Sequence, residues 1–551
     1  MIHIDEREDR EYKHWATVVS EEAIKRFDKK QVVATGWAPS GYYHIGNFKE
    51  AVTCRAIHRE LLNLEAESSY ILNIDNIDPF DKIPAFFKKD YGKLLHRYLG
   101  HAICDVPDPL GCHSSYADHF ISNAIEIMDE FDVHPEPIKT SEMYTQGKYD
   151  KYAKLFIEKK EETSQLTKEI TGSRMEEFFL VQCPKCKIFA APLITDYRIG
   201  SNEIIIDIHC KREKKGCGEK STIKMGETLW KLKWRLDWAA RQDFFGVTVE
   251  SSGKDHGVAG GSIDTSLAIH EKIFNKAKLP LLIQHGFLTF GGKKLSGSSG
   301  SGMPVTEFPK ILDPAIFLYK IYRTNLRTDF DFRVDLDIPS IASEFDQAEE
   351  LFYQNLSLEH KKSREKTIKA YELALIGEPS SNKAIRVDYG HLATVMQVCL
   401  FDEEKIIDRL KSTGIIPQEP NDLTNLFLSK RFQRVKYWIE NYANDKIKFK
   451  ILDNPDCEIV NNINQTIFNH LFEALQKLPD TLKGDEITQF LYEYSKKQQI
   501  KPKEFFQFIY LIFIGRKSGP RAGTLVDAIS KNEVLMFMKK ALKCLTDKID
   551  S

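Results

Sequence analysis

The sequence predicts an α/β domain on a parallel sheet, interrupted by an inserted module, followed by an all-α C-terminal half. Three observations predict it. A short β-branched run, QVVATG (31–36), passes through a Pro/Gly turn into a helix-periodic stretch. Paired cysteines break the pattern near 183–217. Beyond residue 330 glycine thins out and the apolar spacing is helical. A chain of 551 residues with 42% apolar side chains exceeds one core and suggests about three or four domains. The net charge of −2 excludes a protein coated in positive charge, so a nucleic-acid partner would have to meet local patches. The N-terminus, MIHIDEREDREYKHW, is charged from its first turn, and no signal peptide is expected there. The longest apolar run, FFQFIYLIFI (505–514), is half of what a bilayer requires. A cytoplasmic protein without a membrane partner is expected, its ten cysteines serving as thiols or metal ligands rather than disulfides.

The elements justify themselves in order. After strand 31–36, Pro39, Ser40 and Gly41 make a turn, and Phe48, Val52, Ala56 and Ile57 mark a helix face from His44 to about Leu64. Strand, turn and helix open a Rossmann unit, and the positive helix N-terminus favours anions. His44 and Asn47 lie one turn apart, able to donate to phosphate oxygens, and Gly46 lets a nucleotide pack against the backbone. An ordinary capped helix would look the same. The second strand, YILNID (70–75), places Asp75 and Asp78 at the carboxyl edge of the sheet, where such sheets bind ligands. Either could meet a cationic substrate group or cap the next helix.

LWKLKWRL (229–236) alternates as a half-buried strand, with Trp230, Leu232, Trp234 and Leu236 on one face and Lys231, Lys233 and Arg235 on the other. Asp237 would then cap the helix DWAARQDFFG. Trp234 or Trp238 is either core or the wall of a pocket holding an ammonium group. The turn GKDH (253–256) can present Asp255 to ribose hydroxyls and His256 to a substrate. A strand over 282–290 leads to GGKKLSGSSGSG (291–302), in which Lys293, Lys294, Ser296 and Ser298 either hold phosphates or form a solvated linker. Cys183 and Cys186 make a zinc knuckle. Its partners are Cys210 and Cys217, with His209 as the alternative to Cys210, and the site is read as structural. Helices are expected over 343–376, 386–412, 424–444, 462–477 and 484–551. KRFQRVKYWIENY (430–442) interleaves basic and aromatic residues, suited either to RNA contact or to an amphipathic surface.

Together these segments resemble the class I lysyl-tRNA synthetases. HIGN, NIDNIDPFDKIP, VPDPLGCHSSYADHF (106–120), QGKYDKY (146–152), WRLDWAARQDFFGV, SSGKDH and FIGRKSGPRAG (513–523) carry the resemblance. It implies a HIGH-type nucleotidyl-transferase catalytic domain over 1–310, interrupted by a zinc-binding insertion at 101–230. A stem-contact region at 311–375 and an α-helical anticodon-binding domain at 376–551 would follow. It implies ATP contacts from Pro39, Ser40, Gly41, His44, Gly46, Asn47, Asp255, Lys293, Lys294, Ser296 and Ser298, with His44, Asn47 and Lys294 catalytic. A lysine pocket would comprise Gly36, Trp234, Trp238, His256 and His285. Substrates would be lysine, ATP with Mg2+, and tRNA-Lys, acted on by a monomer. The chain departs from the family pattern at Ser299, where a second loop lysine is expected, and at His285, where a tyrosine is expected.

Overall fold

Five strands in the order β10-β9-β1-β2-β3 make a wholly parallel sheet: β1 (Lys30–Trp37), β2 (Glu67–Ile74), β3 (Glu136–Lys139), β9 (Val249–Gly253) and β10 (Leu281–His285). The computed structural model describes residues 12–200, 203–290, 293–294, 304–354, 358–377, 379, 383 and 385–547. The chain divides into two compact units. One comprises Met1–Glu307, Phe317–Phe332 and Gln354–Pro379; the other comprises Phe308–Ile316, Arg333–Tyr353 and Ser380–Ser551.

In the first unit, β1 is central and Val33, Ala34 and Thr35 are buried on successive faces, as a strand covered on both sides requires. β1 pairs in full register with β2, from Lys30 opposite Glu67 to Trp37 opposite Ile74. On its other side it pairs with β9. After β1 the chain moves toward β2, and after β9 it moves away toward β10, so the strand order reverses between β1 and β9. Ligands bind in the crevice beyond the carboxyl ends at such a switch point.

The insertion holds a ribbon of β4 (Phe179–Val181) with β8 (Trp230–Leu232) and a meander of β5 (Pro192–Ile199), β6 (Ile204–Cys210) and β7 (Lys220–Lys224). Three expectations for 229–237 fail in this region. The strand expected through Leu236 ends at Leu232, and a helix, Trp234–Phe245, begins after Lys233. Asp237 therefore lies in the first turn of that helix and is fully buried rather than capping it. Lys231 points inward, 1% exposed: its ammonium meets Asp75 at 2.6 Å and Asp78 at 2.7 Å, and that pairing outweighs the alternation. The strand expected over 282–290 also divides. β11 (Leu288–Phe290) leaves β10 for a small sheet with β12 (Lys293–Lys294) and β13 (Phe330–Phe332).

The second unit is helical. The span expected at 386–412 is two helices, Tyr389–Val398 and Glu403–Ser412. Leu400 and Phe401 take positive φ between them, and Asp402 caps the second. The span expected at 343–376 is likewise two helices, Ile338–Tyr353 and Leu358–Ala374, the latter belonging wholly to the first unit. The span 484–551 holds four helices among the described residues, with Pro502 opening Pro502–Ile514 and Gly515, at φ +68°, closing it. Phe505, Ile509, Ile512 and Phe513 of the apolar run are core. No helix among the described residues is long and apolar enough to cross a membrane. In 430–442, Arg431 pairs with Asp346 and Arg434 with Asp313, while Trp438 donates to the Val334 carbonyl. Those three side chains are committed to packing. Contrary to the expectation of thiols or metal ligands throughout, Cys457 and Cys544 form a disulfide. The helix Cys457–Asn461 packs on the last helix and brings their Cα atoms to 5.2 Å, a proximity that a separation of 87 residues conceals in the sequence.

Candidate active site

A cavity of about 160 Å³ opens at the carboxyl edge of the sheet, beside the switch point. His44, Gly46 and Asn47 enter it from the start of the helix Ile45–Asn63, Gly253 from the end of β9, Asp255 and His256 from the turn after it, and His285 from the end of β10. His44 is the helix cap: its Nδ1 accepts the Gly46 N–H at 3.1 Å, which fixes the ring. A Cβ at Gly46 would sit 3.0 Å from that ring, so glycine keeps both the cap and the approach to the backbone open. Pro39, Ser40 and Gly41 form the connecting turn, held where Tyr116 donates to the Ser40 carbonyl at 2.9 Å.

Beside the cavity, Trp234 and Trp238 stack at 5.4 Å, and the His256 ring lies 5.9 and 5.8 Å from them. The cation over Trp234 is the chain's own: the Arg241 guanidinium lies 5.0 Å from its ring. Gly36 borders the same group, since a Cβ there would come 2.9 Å from Arg241 Nη2. Arg241 is buried between Glu250 at 3.7 Å and Asp237 at 3.9 Å, and Asp237 also accepts from Tyr144. Burial pushes the Asp237 carboxyl upward, against Lys231. His285 is 4% exposed, with Nδ1 3.1 Å from the Gly286 carbonyl and Nε2 3.9 Å from Glu50.

Sequence reasoning overlooked two charged lining residues, Lys49 and Glu50. Lys49 donates to the Gly286 carbonyl at 2.6 Å, and burial lowers its pKa to about 8. Glu50 lines the same wall and accepts from Thr35. Helical spacing of three and four residues from Gly46 would have found both. β12 carries Lys293 and Lys294, whereas Ser296, Ser298 and Ser299 lie outside the described residues.

Residues 13–376 match the family described as tRNA synthetases class I (K). The chain belongs to that family. It is 30% identical over 533 residues to a lysine–tRNA ligase of Archaeoglobus fulgidus, spanning 96% of this chain and 100% of the relative. It is also 30% identical over 543 residues to one of Thermococcus kodakarensis, spanning 96% and 99%.

Among the described residues of this class I synthetase chain, two groups of side chains could hold a metal. Cys183, Cys186, Cys210 and Cys217 bring their sulfurs within 4.8 Å of one another, with Cys183–Cys217 at 3.8 Å and Cys186–Cys210 at 3.7 Å. A tetrahedron of zinc–thiolate bonds has sulfur–sulfur edges of about 3.8 Å, so the residues fit zinc. The backbone N–H of Cys217 donates to the Cys210 sulfur at 3.3 Å, as a thiolate ligand would accept. His209 sits outside the group, because β6 buries alternate residues and Cys210 takes the inward position. The second group, Asp108, Cys112, His113 and His119, was not foreseen. The Cys112 sulfur lies 3.1 Å from His113 Nδ1, 3.3 Å from His119 Nδ1 and 3.2 Å from Asp108. The spacing D-x3-C-H-x5-H within 108–119 was the available signal.

Proposed function

We propose that this chain joins lysine to tRNA-Lys in two steps. A lysine carboxylate oxygen attacks the α-phosphorus of ATP, forming lysyl-AMP as the bond to pyrophosphate breaks. The 2′-oxygen of the terminal adenosine then attacks the lysyl carbonyl, releasing AMP. The observation that carries this reading is the cavity at the sheet's switch point, where HIGN and GKDH meet. Among the described residues its lining holds no serine, threonine or cysteine, which suits a reaction run by positioning and charge stabilisation.

In this reading His44 and Asn47 hold phosphate oxygens at the helix N-terminus, Gly46 lies under the adenine and Asp255 takes the ribose. Lys294 brings positive charge from the loop, with Lys293, Ser296 and Ser298 beside it, and Pro39, Ser40 and Gly41 set the helix start. Gly36, Trp234, Trp238, His256 and His285 surround lysine. Magnesium bound with ATP supplies neutralisation of phosphate charge. Cys183, Cys186, Cys210 and Cys217 hold a structural zinc, and Asp108, Cys112, His113 and His119 hold a second metal. The second unit takes the anticodon arm.

One observation favours a rival. Arg241 stands beside Gly36, where a glutamate-specific enzyme would want a cation. Asp237 and Glu250 flank it, and those two carboxylates offset its charge, leaving the site suited to a cationic amino acid. ATP–pyrophosphate exchange with lysine and with glutamate, each with and without tRNA, separates the readings. Lysine-dependent exchange is expected; its absence in the presence of tRNA-Lys would overturn the proposal.

A further inference from the structure

The chain leaves the parallel sheet at Gly286 and Phe287, between the end of β10 and the hairpin of β11 and β12 that carries Lys293 and Lys294. Other parts of the first unit converge on those two residues. The buried ammonium of Lys49 donates to the Gly286 carbonyl at 2.6 Å. The Gly286 N–H donates to the Leu326 carbonyl at 2.9 Å. A Cβ at Gly286 would collide with the Thr328 carbonyl oxygen, so glycine is what lets the two backbones pass this closely. The Phe287 N–H donates to Asp329 Oδ1 at 2.8 Å.

Asp329 makes a second set of contacts. Lys254, the lysine of GKDH, donates to its two carboxylate oxygens at 2.8 and 2.6 Å. The same ammonium lies 4.7 Å from the centre of the Phe287 ring. The bond from Lys254 holds the Asp329 carboxyl below its ordinary value. Asp255 and His256 follow Lys254 directly and line the candidate active-site cavity, as does Phe287. One carboxylate therefore ties the GKDH turn to the root of the lysine-bearing hairpin. The Lys254 and Asp329 side chains are 40% and 52% exposed, and an exposed pair contributes little to stability. What it fixes is where the two segments sit against each other.

How much such a tie matters depends on the charge of the loop it anchors. Ser299 stands where a second loop lysine is expected. A loop lacking that cation gains less from closing over phosphates, so more of its placement has to be built in beforehand. We propose that Asp329 is a positioning residue for adenylate formation. Through Lys254 and the Phe287 N–H it sets the hairpin bearing Lys294 against the GKDH turn, which compensates for the serine at 299. The assignment rests on the reading of this chain as a tRNA ligase.

The test uses the full chain with ATP, lysine and tRNA-Lys. Asp329→Ala and Lys254→Met should each lower kcat for lysine-dependent pyrophosphate exchange by about tenfold to a hundredfold. Each should raise KM for ATP and leave KM for lysine and the melting temperature at wild-type values. The double variant should be no worse than Asp329→Ala alone, because both substitutions remove one contact. Asp329→Asn, which keeps an acceptor for the Phe287 N–H, should be the milder change. Adding Ser299→Lys to Asp329→Ala should restore most of the activity. Wild-type kinetics in Asp329→Ala and Lys254→Met would overturn the proposal. So would equal rises in both KM values with lowered melting, the mark of a merely structural role. Hydrogen exchange supplies a readout that needs no turnover. ATP alone should protect amides of 253–257 and 286–290 together in the wild type, but only 253–257 in Asp329→Ala; any other pattern overturns the proposal. No exchange by the wild-type chain with tRNA-Lys present defeats the ligase reading, whereas normal exchange with unaffected variants defeats only this one.

Discussion

Replacing Lys231 with methionine tests the charge cluster that fastens the insertion to the carboxyl edge of the sheet. Lys231 Nζ lies 2.6 Å from Asp75 and 2.7 Å from Asp78, and its side chain is 2% exposed. Methionine fills similar volume, so the loss is mainly electrostatic: Asp75 keeps its buried position, 4% exposed, without a cation. Breaking a buried pair by removing one partner costs about 3–5 kcal/mol. At about 2–4 °C per kcal/mol for larger domains, the first unit should melt about 6–20 °C lower. The cost should also depend on pH. Burial and the neighbouring Asp75 already raise the Asp78 carboxyl to about 6, while Lys231 pulls it down. Without Lys231 the native state binds protons still more readily than the unfolded chain. Stability of the variant should therefore rise as pH falls from 8 toward 5, with the full penalty present at pH 8. Differential scanning fluorimetry across that range reads both effects. Adding Asp75→Asn should recover part of the loss, because the partners are coupled. A shift below about 2 °C, or a penalty that grows on acidification, would refute the argument.

Metal analysis of the purified chain should find about two zinc equivalents, with Cys210→Ser losing one of them and His209→Ala losing none. His44→Ala should lower lysine-dependent pyrophosphate exchange about 10²-fold, as expected for a lost transition-state donor, while costing only the ~1 kcal/mol of a lost helix cap in stability. Burial holds His14 and His270 near pKa 4, and neutral His14 is fixed by the Ala16 N–H and the Tyr322 carbonyl. Because the unfolded chain protonates both near 6.5, their stabilisation is present above pH 6.5 and lost as pH falls toward 4. His14→Gln should flatten that acid limb of the melting profile, and an unchanged slope would count against it. Cys457→Ser opens a loop spanning 87 residues and should destabilise the second unit by about 2–4 kcal/mol in urea titrations. In the wild type a reductant should reproduce the effect.

The sequence by itself determined the elements whose cause is local. β1 and the helix Ile45–Asn63 were legible because a β-branched run, a Pro/Gly turn and an apolar period fix backbone geometry within a few residues. The capping position of His44 follows from the same short range. Cys183 and Cys186 were legible because a turn of four residues brings two sulfurs together. Tertiary structure alone decided whatever depended on partners distant in the chain. Lys231 faces inward because Asp75 and Asp78 lie 156 and 153 residues before it, and no alternation pattern encodes that charge. Arg241 comes beside Gly36 of β1, far from it in the sequence, only in the folded chain. His285 meets Glu50 only because β10 ends level with the helix after β1. Periodicity sets which face of an element is apolar, but the sequence distance between charges says nothing of their distance in space. The wall of a site, its buried counter-charges and its disulfide therefore emerge only when the strands are placed in order.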